Sequence, residues 1–412
     1  MRVLFIVNTF PPAYTGGAEI ASYHACRGLL RAGVDCSVLA LNNRASEPLD
    51  GWYALDGIPV HRVVYGRLRT ALTDVFDGRL YKIVQAELRR FQPDVVHVQN
   101  VSGATLAPFW ACRSARVPVV NTLHDLWLLC PNNMLYRADG MFCDPQGNAQ
   151  GCGDCFRRYD FWGNIPCRRR VFAALTANVR VFVSPSQAVI DRHVEAGYAP
   201  ERFRLIRLGF SDSTASQVHS PTALERLGAC LPSGPTIFFA GGGVEIKGAK
   251  VVLEALPELL GSVNGLQVVV AGGGEPSLVS AFRRYAPAVQ TLGAVPAADM
   301  HGLFAAADLT LVPSVWHENA PLVVCESFQA GTPVIGSAFG GIPELIRDGE
   351  TGYLFPVGNA GALVGAVRNH FERPAIERRH MRLRCVKEVQ TRFALSQHVE
   401  RLQELYREVS AP

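Results

Sequence analysis

The 412-residue sequence lacks the features that mark several specialised classes of protein. It has no apolar run of the about eighteen residues that a membrane-spanning helix requires. Its start, "MRVLFIVNTFPP", has neither the basic region nor the cleavage site of a secretory signal. Repeats of solenoid period and low-complexity tracts are also absent. These absences predict a globular chain in the cytoplasm.

The chain also carries little net charge and an odd number of cysteines. Charged residues make up 18% of it, and the formal net charge is +4. So mild a charge does not favour nucleic acid as a partner. The eleven cysteines are an odd number, and in a reducing compartment they are expected to be free thiols or metal ligands rather than a disulfide framework.

Short apolar runs alternate with longer amphipathic segments in both halves of the chain, which is typical of parallel sheets covered by helices. Strands are predicted at residues 2–7, 35–41, 95–99, 118–124, 179–185, 235–243, 267–274, 309–314 and 332–337. The predicted fold class is therefore α/β, with two Rossmann-like doubly wound domains that face an interdomain cleft.

The chain is too long for one core, which predicts two domains. We expect an N-terminal domain at 1–205 with a cysteine-rich insertion at about 130–167, a polar linker region at 206–232 and a C-terminal domain at 233–385. A last helix at 386–412 is expected to pack back toward the N-terminal domain.

A glycine-rich loop follows the first strand of each half. Gly16 and Gly17 precede a helix in the first loop, and Gly242 and Gly243 precede Lys247 in the second. The first loop lacks the dinucleotide fingerprint, and the second lacks the Lys and hydroxyl residue of a Walker A loop. A helix start and a lysine still attract phosphate. The alternatives are a plain turn and a solvated lysine.

Two glutamates, Glu318 and Glu326, flank or lie within an apolar run in "HENAPLVVCES". Buried carboxylates are costly unless a partner compensates them. A ribose diol could donate to one of them and a sugar hydroxyl to the other. Pro321 suits the first turn of a helix that runs to about Ala330. A diphosphate would rest at the start of this helix without a metal, on the segment formed by Asn319, Ala320, Pro321 and Leu322.

Seen together, these motifs resemble the retaining family 4 glycosyltransferases of GT-B fold. The resemblance lies in the Glu-x7-Glu pair with "AGTPVIGSAFGGIPELIRDGETGYLF" after it, and in "TGGAE", "PDVVHVQ", "TLHDLW", "VSPSQAV" and "IKGAKVVLEAL". It covers nearly the whole chain, and residues 44–90 and 130–170 are the least typical.

The resemblance implies that the N-terminal domain binds the acceptor and the C-terminal domain binds the nucleotide sugar, and it implies a role for each matching residue. In such enzymes the second glutamate, Glu326, binds the donor ribose, while Glu318 contacts the transferred sugar. Lys247 contacts the diphosphate, and His124 of the "HD" pair lies beside the donor sugar. The glycines of the first loop, at positions 16 and 17, border the phosphate or the acceptor. Asp125 is either part of this site or a simple helix cap.

One position departs from the family pattern. Gly242 stands where the family usually has an arginine, five residues before Lys247. Either Lys247 and the helix start hold the diphosphate unaided, or another cation such as Arg207 takes part.

The implied reaction is transfer of a sugar from a UDP- or GDP-sugar to an acceptor hydroxyl, with retained anomeric configuration and no cofactor for the chemistry. The acceptor is expected to be a glycan or a lipid-linked precursor. The alternatives are a nucleotide-sugar epimerase of the same form and an inactive nucleotide-sugar-binding scaffold, which Gly242 favours.

Basic residues beside apolar ones occur at Arg168, Arg169 and Arg170 and within 67–90. They predict peripheral contact with the inner face of the cytoplasmic membrane, or else a solvated face.

Four cysteines lie in a polar, glycine-rich segment after "HDLW": Cys130, Cys143, Cys152 and Cys155. The segment has too few apolar residues for a core of its own, so a structural tetrahedral zinc would supply cross-links. Cys167 could replace any one ligand. An iron-sulfur cluster and unligated or disulfide-bonded cysteines are the alternatives.

Overall fold

The computed structural model describes residues 1–12, 16–42, 50–65, 75–99, 105–137, 140, 142–143, 165–210 and 234–411. The chain divides into two compact units. Met1–Gly209 and Leu395–Pro412 form the first, and Phe210–Ala394 forms the second. The return to the first unit thus lies at Leu395, and residues 386–394, which were expected in the returning segment, belong to the second unit.

The first unit is built on an eight-stranded sheet in the order β3-β4-β2-β1-β5-β6-β7-β8. Its strands are parallel except for the antiparallel pair β3 and β4. The strands are β1 (Arg2–Val7), β2 (Asp35–Asn42), β3 (Gly51–Leu55), β4 (Ile58–Val64), β5 (Val95–Val98), β6 (Val119–Thr122), β7 (Val179–Ser184) and β8 (Phe203–Leu205).

Six α-helices are described in the first unit: α1 (Gly17–Arg31), α2 (Gly78–Phe91), α3 (Ala107–Ala115), α4 (Ile165–Leu175), α5 (Gln187–Glu195) and, from the end of the chain, α12 (Leu395–Ser410). Sequence accounts for α2 directly. The Asp77 side chain caps it by accepting from the amides of Arg79 and Leu80, at 3.0 and 3.1 Å. Its apolar residues recur at helical spacing and are buried.

The second unit has a six-stranded parallel sheet in the order β11-β10-β9-β12-β13-β14. Its strands are β9 (Thr236–Phe239), β10 (Gln267–Ala271), β11 (Val289–Gly293), β12 (Leu309–Val312), β13 (Val334–Ser337) and β14 (Gly352–Phe355). Its helices are α6 (Ala249–Ser262), α7 (Pro276–Arg283), α8 (Ala297–Ala306), α9 (Leu322–Gln329), α10 (Ala360–Glu372) and α11 (Ala375–Arg392).

All nine predicted strands are present, with ends that differ by a few residues, and the α/β fold class with two parallel-sheet domains is confirmed. Five strands were not predicted: β3, β4, β8, β11 and β14. They are short or lie at or beside a sheet edge, and β3 alternates between exposed and half-buried residues. A strand of this kind lacks the continuous apolar run that marks a central parallel strand.

The C-terminal helix α12 is part of the core of the first unit. Val399, Leu402 and Tyr406 of this helix pack in one buried cluster with Val3 and Phe5 of β1. Helix α1 is its neighbour, and Gly28 is at the point of contact. A Cβ atom added to Gly28 would lie 2.5 Å from Cγ2 of Val399. The missing side chain therefore allows the two helices to approach closely.

We expect Gly28→Ala to lower the thermal unfolding midpoint. The β-branched Val399 side chain has little freedom to move away, and overpacking of this kind costs about 1–3 kcal/mol. Gly365 in α10 is a matched control, because nothing lies within 4 Å of a Cβ atom added there. Gly365→Ala should be neutral or stabilising by up to about 1 kcal/mol. Equal midpoints for the two variants would contradict the close packing of α1 and α12.

Candidate active site

Two predicted site residues of the second unit meet where its sheet changes direction. Strand β9 has β10 on one side and β12 on the other, and the carboxyl ends of such neighbouring strands form the usual ligand crevice of a doubly wound sheet. Lys247 ends a short 3-10 turn, Glu245–Lys247, after β9. Glu318 follows β12. The fold brings these two side chains together across 71 residues of sequence.

The Glu318 carboxylate is buried, with 5% of the residue exposed, and is compensated by three donors. Its Oε1 accepts from Lys247 Nζ at 2.6 Å, from Ser314 Oγ at 2.9 Å and from Trp316 Nε1 at 2.9 Å. The Lys247 ammonium also lies 5.2 Å from the centre of the Trp316 ring. Within the described residues Oε2 has no such partner, so it is the oxygen that a ligand hydroxyl could reach.

Sequence reasoning treated Lys247 and Glu318 as separate contacts, and it missed Ser314 and Trp316. A short polar residue and an aromatic residue beside a strand end are common in any α/β protein, so neither carried a signal. The lysine side chain is 40% exposed and keeps further N–H groups for a second acceptor, since an ammonium has three donors.

Glu326 lies on α9 and differs sharply from Glu318. Its carboxyl group has no hydrogen-bond or ion-pair partner in the part of the chain that the structure describes. Burial raises its pKa from 4.5 to about 7. An unpaired carboxyl group of this kind is ready to accept hydrogen bonds from an incoming diol.

The helix that carries Glu326 begins one residue later than predicted. Pro321 is its N-cap and Leu322 its first residue, and it ends at Gln329. Proline has no amide hydrogen, so Asn319, Ala320 and Leu322 supply the amides of this predicted phosphate-binding segment. Asn319 is buried, with 7% of the residue exposed.

Gly242 is fixed by close packing of two glycine-rich loops. It has φ +54°, and a Cβ atom there would lie 2.2 Å from the carbonyl oxygen of Gly273. The amide of Gly243 donates to that same oxygen at 2.9 Å. An arginine at 242 would therefore displace the backbone, which explains why this chain departs from the family pattern at that position.

In the first unit, the loop before α1 already holds an anion of its own. The Gly16 amide donates to Oε2 of Glu19 at 3.0 Å, and Glu19 is buried. Gly17 is the first residue of the helix. A carboxylate at this helix start competes with a phosphate for the same amides and the same dipole. This contact was not predicted, because a glutamate in the first turn of a helix is ordinary.

His124 follows β6, and its Nε2 lies 2.7 Å from Oε1 of Gln99, which follows β5. Burial, with a smaller contribution from His398, lowers the pKa of His124 to about 4, so its ring is neutral near pH 7. The next residue, Asp125, accepts at Oδ1 from the amide of Trp127 at 2.9 Å. Asp125 thus supports a turn and not the start of a helix, which differs from the helix-cap alternative.

Two of the three arginines that were predicted to face a membrane are buried instead. Arg168 is 3% exposed and donates to the carbonyls of Trp127 and Leu128, at 2.9 and 3.2 Å. Arg169 is 7% exposed and donates to that of Leu129 at 3.2 Å. These arginines hold the loop that follows His124, so the prediction of a basic surface is wrong for them. Arg170 is exposed.

Two of the four predicted zinc ligands are described. Cys130 is buried, and its Sγ lies 2.7 Å from Oδ1 of Asn132. Cys143 is half-buried, and its amide donates to the carbonyl of Leu135 at 2.8 Å. Cys152, Cys155 and Cys167 lie in parts of the chain whose side chains are not described, so the zinc site stays a prediction.

Comparison with known proteins identifies the class of the chain. Residues 234–373 match the family "Glycosyl transferases group 1", and residues 15–213 match "Glycosyltransferase Family 4". The chain is 25% identical to glycogen synthase 1 of Bradyrhizobium diazoefficiens, over 76% of this chain and 71% of that protein. It is 26% identical to a D-inositol 3-phosphate glycosyltransferase of Acidothermus cellulolyticus, over 85% of this chain and 77% of the other.

Solved structures agree on the fold. The complex of the Anabaena protein HepE with UDP-glucose has a TM-score of 0.73 and 19% identity, with 99% of this chain and 100% of that one covered. Sucrose-phosphate synthase from Thermosynechococcus elongatus has a TM-score of 0.75 and 19% identity, with 99% of each chain covered. The fold is that of a GT-B glycosyltransferase. The chain belongs to the group 1, family 4 glycosyltransferases and is an enzyme of that class.

None of the described helices is long and apolar enough to cross a membrane.

The raised pKa of Glu326 predicts a pH-dependent cost to stability. In the unfolded chain Glu326 ionises above about pH 4.5, whereas in the folded chain it ionises only near pH 7. The free energy of unfolding therefore falls between about pH 4.5 and 7 and falls no further above the folded pKa. Glu326→Gln should raise the free energy of unfolding by up to about 3 kcal/mol at pH 8, and by less than about 1 kcal/mol at pH 5. Denaturant unfolding at the two pH values measures this difference.

The exposed Glu254 of α6 provides the control for that measurement. Glu254→Gln should show no comparable gain at pH 8, because the side chain of Glu254 is exposed to solvent. An equal gain in both variants would mean that general charge removal, and not burial of Glu326, is responsible.

Proposed function

We propose that this enzyme transfers a sugar from a nucleoside diphosphate donor to an acceptor hydroxyl, with the anomeric configuration retained. The observation that carries the proposal is the contrast between its two glutamates. Glu318 is buried and held by Lys247, whereas Glu326 is a half-buried carboxyl group with a raised pKa and no partner among the described residues. A site with one paired and one unpaired carboxylate suits a ligand that contains both a sugar hydroxyl and a ribose diol.

Each residue then has a separate task. Glu326 accepts from the ribose hydroxyls, and Oε2 of Glu318 accepts from a hydroxyl of the transferred sugar. The Lys247 ammonium and the amides of Asn319, Ala320 and Leu322 face the diphosphate. As the bond from the sugar to the diphosphate breaks, the negative charge that develops on the leaving group is stabilised by these fixed donors.

The proposed attack is from the front face. The acceptor hydroxyl approaches from the side that the diphosphate leaves, its oxygen bonds to the anomeric carbon, and its proton passes to the departing diphosphate. No carboxylate is assigned as a covalent nucleophile, because Oε1 of Glu318 is held by three donors and Glu326 is assigned to the ribose. Gly242 adds no cation, so Lys247 carries the positive charge of this loop alone.

The donor is proposed to be a UDP- or GDP-sugar, and UDP-glucose is the first compound to test because HepE, of the same fold, was solved with it.

For the acceptor we propose a glycan or lipid-linked hydroxyl. A relative that is 33% identical over 32% of this chain and 36% of its own length is a phosphatidyl-myo-inositol mannosyltransferase of Mycobacterium leprae. Contact with the inner face of the membrane would then rest on α2 and the exposed Phe76 that precedes it.

The competing proposal is a binding scaffold without turnover, which the missing arginine at 242 favours. The packing of Gly242 against Gly273 weakens that argument, because it gives the glycine a structural reason. Turnover of a bound donor decides between the two.

The function is tested by the two glutamates separately. At pH 8, Glu326→Gln should weaken donor binding by about 1.5–3 kcal/mol, the range for a hydrogen bond to a charged group. The wild-type affinity should also rise from pH 6 to pH 8, as Glu326 ionises, and this rise should vanish in the variant. Glu318→Gln should lower kcat more than it lowers donor affinity. Calorimetric titration and product analysis measure the two effects.

In the same titrations Glu254→Gln should bind the donor like the wild type. Unchanged donor binding in Glu326→Gln would remove the ribose assignment. Binding of no UDP- or GDP-sugar by the wild type would remove the proposed function.

We also propose a structural zinc held by Cys130, Cys143, Cys152 and Cys155. The support is that Tyr136 and Phe142, which lie between Cys130 and Cys143 in the sequence, form an antiparallel bridge, and that both cysteines pack in the same apolar cluster. Burial raises the pKa of the Cys130 thiol in the free protein. A bound zinc ion would favour the thiolate and so deprotonate this cysteine. Metal analysis of protein purified without chelators should find about one zinc per chain, lost in the Cys152→Ser, Cys155→Ser double variant.

Zinc-free protein with wild-type stability would refute the metal site. Bound iron would support a cluster in its place. Cys385 is a matched control, because it is buried in α11 of the second unit, so Cys385→Ser should leave the zinc content unchanged.

A further inference from the structure

A chain of hydrogen bonds leads from His124 into the core of the first unit. Nε2 of His124 lies 2.7 Å from Oε1 of Gln99. Nε2 of Gln99 lies 3.0 Å from Nε2 of His97, and Nδ1 of His97 lies 2.5 Å from Oη of Tyr406. The Thr122 hydroxyl is a further neighbour of His97 Nε2, at 2.7 Å. These links have ordinary hydrogen-bond lengths, except that the contact between His97 and Tyr406 is short.

This chain is buried and comes from separate elements. Gln99 is 6% exposed, His97 1% and Tyr406 0%. His97 is in β5, Gln99 follows that strand, and Tyr406 is on α12, 309 residues from His97 in the sequence. A buried polar chain of this kind costs stability unless each member is satisfied, so its members hold one another in place.

Both histidine rings are neutral near pH 7. Burial lowers the pKa of His124 to about 4 and that of His97 well below its usual range. A neutral imidazole carries one N–H, and the nitrogen that holds it is set by its partners. The partners therefore decide which nitrogen of His124 can accept a hydrogen bond.

Gln99 makes that decision, because its amide has an acceptor at one end and donors at the other. Its Oε1 accepts, so Nε2 of His124 carries the proton and donates. Its NH₂ group donates to Nε2 of His97, so the proton of His97 is on Nδ1 and is donated to Tyr406. Nδ1 of His124 is then the acceptor nitrogen, and within the described residues it has no partner.

We propose that Gln99 and His97 are positioning residues that fix His124 in the tautomer with the proton on Nε2, so that Nδ1 accepts a hydrogen bond from a ligand hydroxyl. Tyr406 forms the last hydrogen bond of this series, so the C-terminal helix α12 contributes to the position of His124. The assignment of the ligand hydroxyl to the donor sugar rests on the proposed function, whereas the assignment of the tautomer does not.

The tautomer is measured directly in the full-length protein labelled with ¹⁵N at histidine. Long-range ¹H–¹⁵N spectra distinguish the two ring nitrogens, and the signals of His124 are identified by their loss in His124→Gln. We expect a protonated Nε2 in the wild type. In Gln99→Met, which keeps the side-chain length but removes both hydrogen bonds, His124 should populate both tautomers. In Gln99→Glu the carboxylate still accepts from Nε2, so the wild-type tautomer should return.

Kinetics provide the second readout. Gln99→Met should lower kcat with the best donor by about 10-fold to 100-fold, the range for loss of a partner that orients a functional histidine, and Gln99→Glu should recover part of it. Donor affinity should fall less than kcat does, because Glu326, Lys247 and the amides at the start of α9 still hold the nucleotide. His193→Gln is the control: His193 is also buried with a pKa lowered to about 4, but its Nδ1 contacts the carbonyl of Val189 in its own helix. It should leave the His124 tautomer unchanged.

A proton on Nδ1 of His124 in the wild type, or an unchanged tautomer in Gln99→Met, would overturn the proposal. If Gln99→Met does not fold, Tyr406→Phe decides in the same way, since loss of that hydroxyl frees the proton of His97 and with it the tautomer of His124. If the protein turns over no nucleotide sugar, the proposed function fails, and the NMR spectra still decide the role of Gln99.

Discussion

The burial of the Glu318 carboxylate is the constraint on which the candidate site of the second unit depends. Removing a carboxylate from water costs several kcal/mol unless charge and hydrogen bonds replace the lost hydration. Here Lys247, Ser314 and Trp316 all donate to Oε1. The loop after β9 and the loop after β12 must therefore keep their relative positions, because a shift of either would leave the charge unpaired.

Glu326 shows the opposite solution eight residues later on α9. It is half-buried and has no partner in the described chain, and the loss of hydration raises its pKa to about 7. The two carboxylates have complementary roles. The Glu318 carboxylate is held rigidly by its donors. The Glu326 carboxylate lowers the stability of the free protein above pH 7, and hydrogen bonds from a bound diol would offset this loss. A residue that weakens the free protein and strengthens its complex is typical of a binding site.

The first unit is organised around buried polar contacts as well. Arg168 and Arg169 satisfy the carbonyls of the loop that follows His124, and Gln99 and His97 connect the ring of His124 to Tyr406. The loop carrying the candidate histidine is thus held from two directions, by α4 and by α12. Its rigidity comes from hydrogen bonds that span long stretches of sequence, and a change far from the site can reach it through them.

The sequence by itself determined the central strands of both sheets, the fold class and the family. Continuous apolar runs between helical segments mark central parallel strands, and the Glu318 and Glu326 pair with its surrounding motif is local enough to recognise. Only the tertiary structure decided that Lys247 pairs with Glu318, that Arg168 is a core residue and that Gly242 is enclosed by a neighbouring loop. Each of these depends on which strand ends lie side by side, and a side chain has the same local pattern whether it will be solvated or buried. The physical reason is that burial and partnership are set by residues tens to hundreds of positions away, whereas periodicity and motif are set by neighbours.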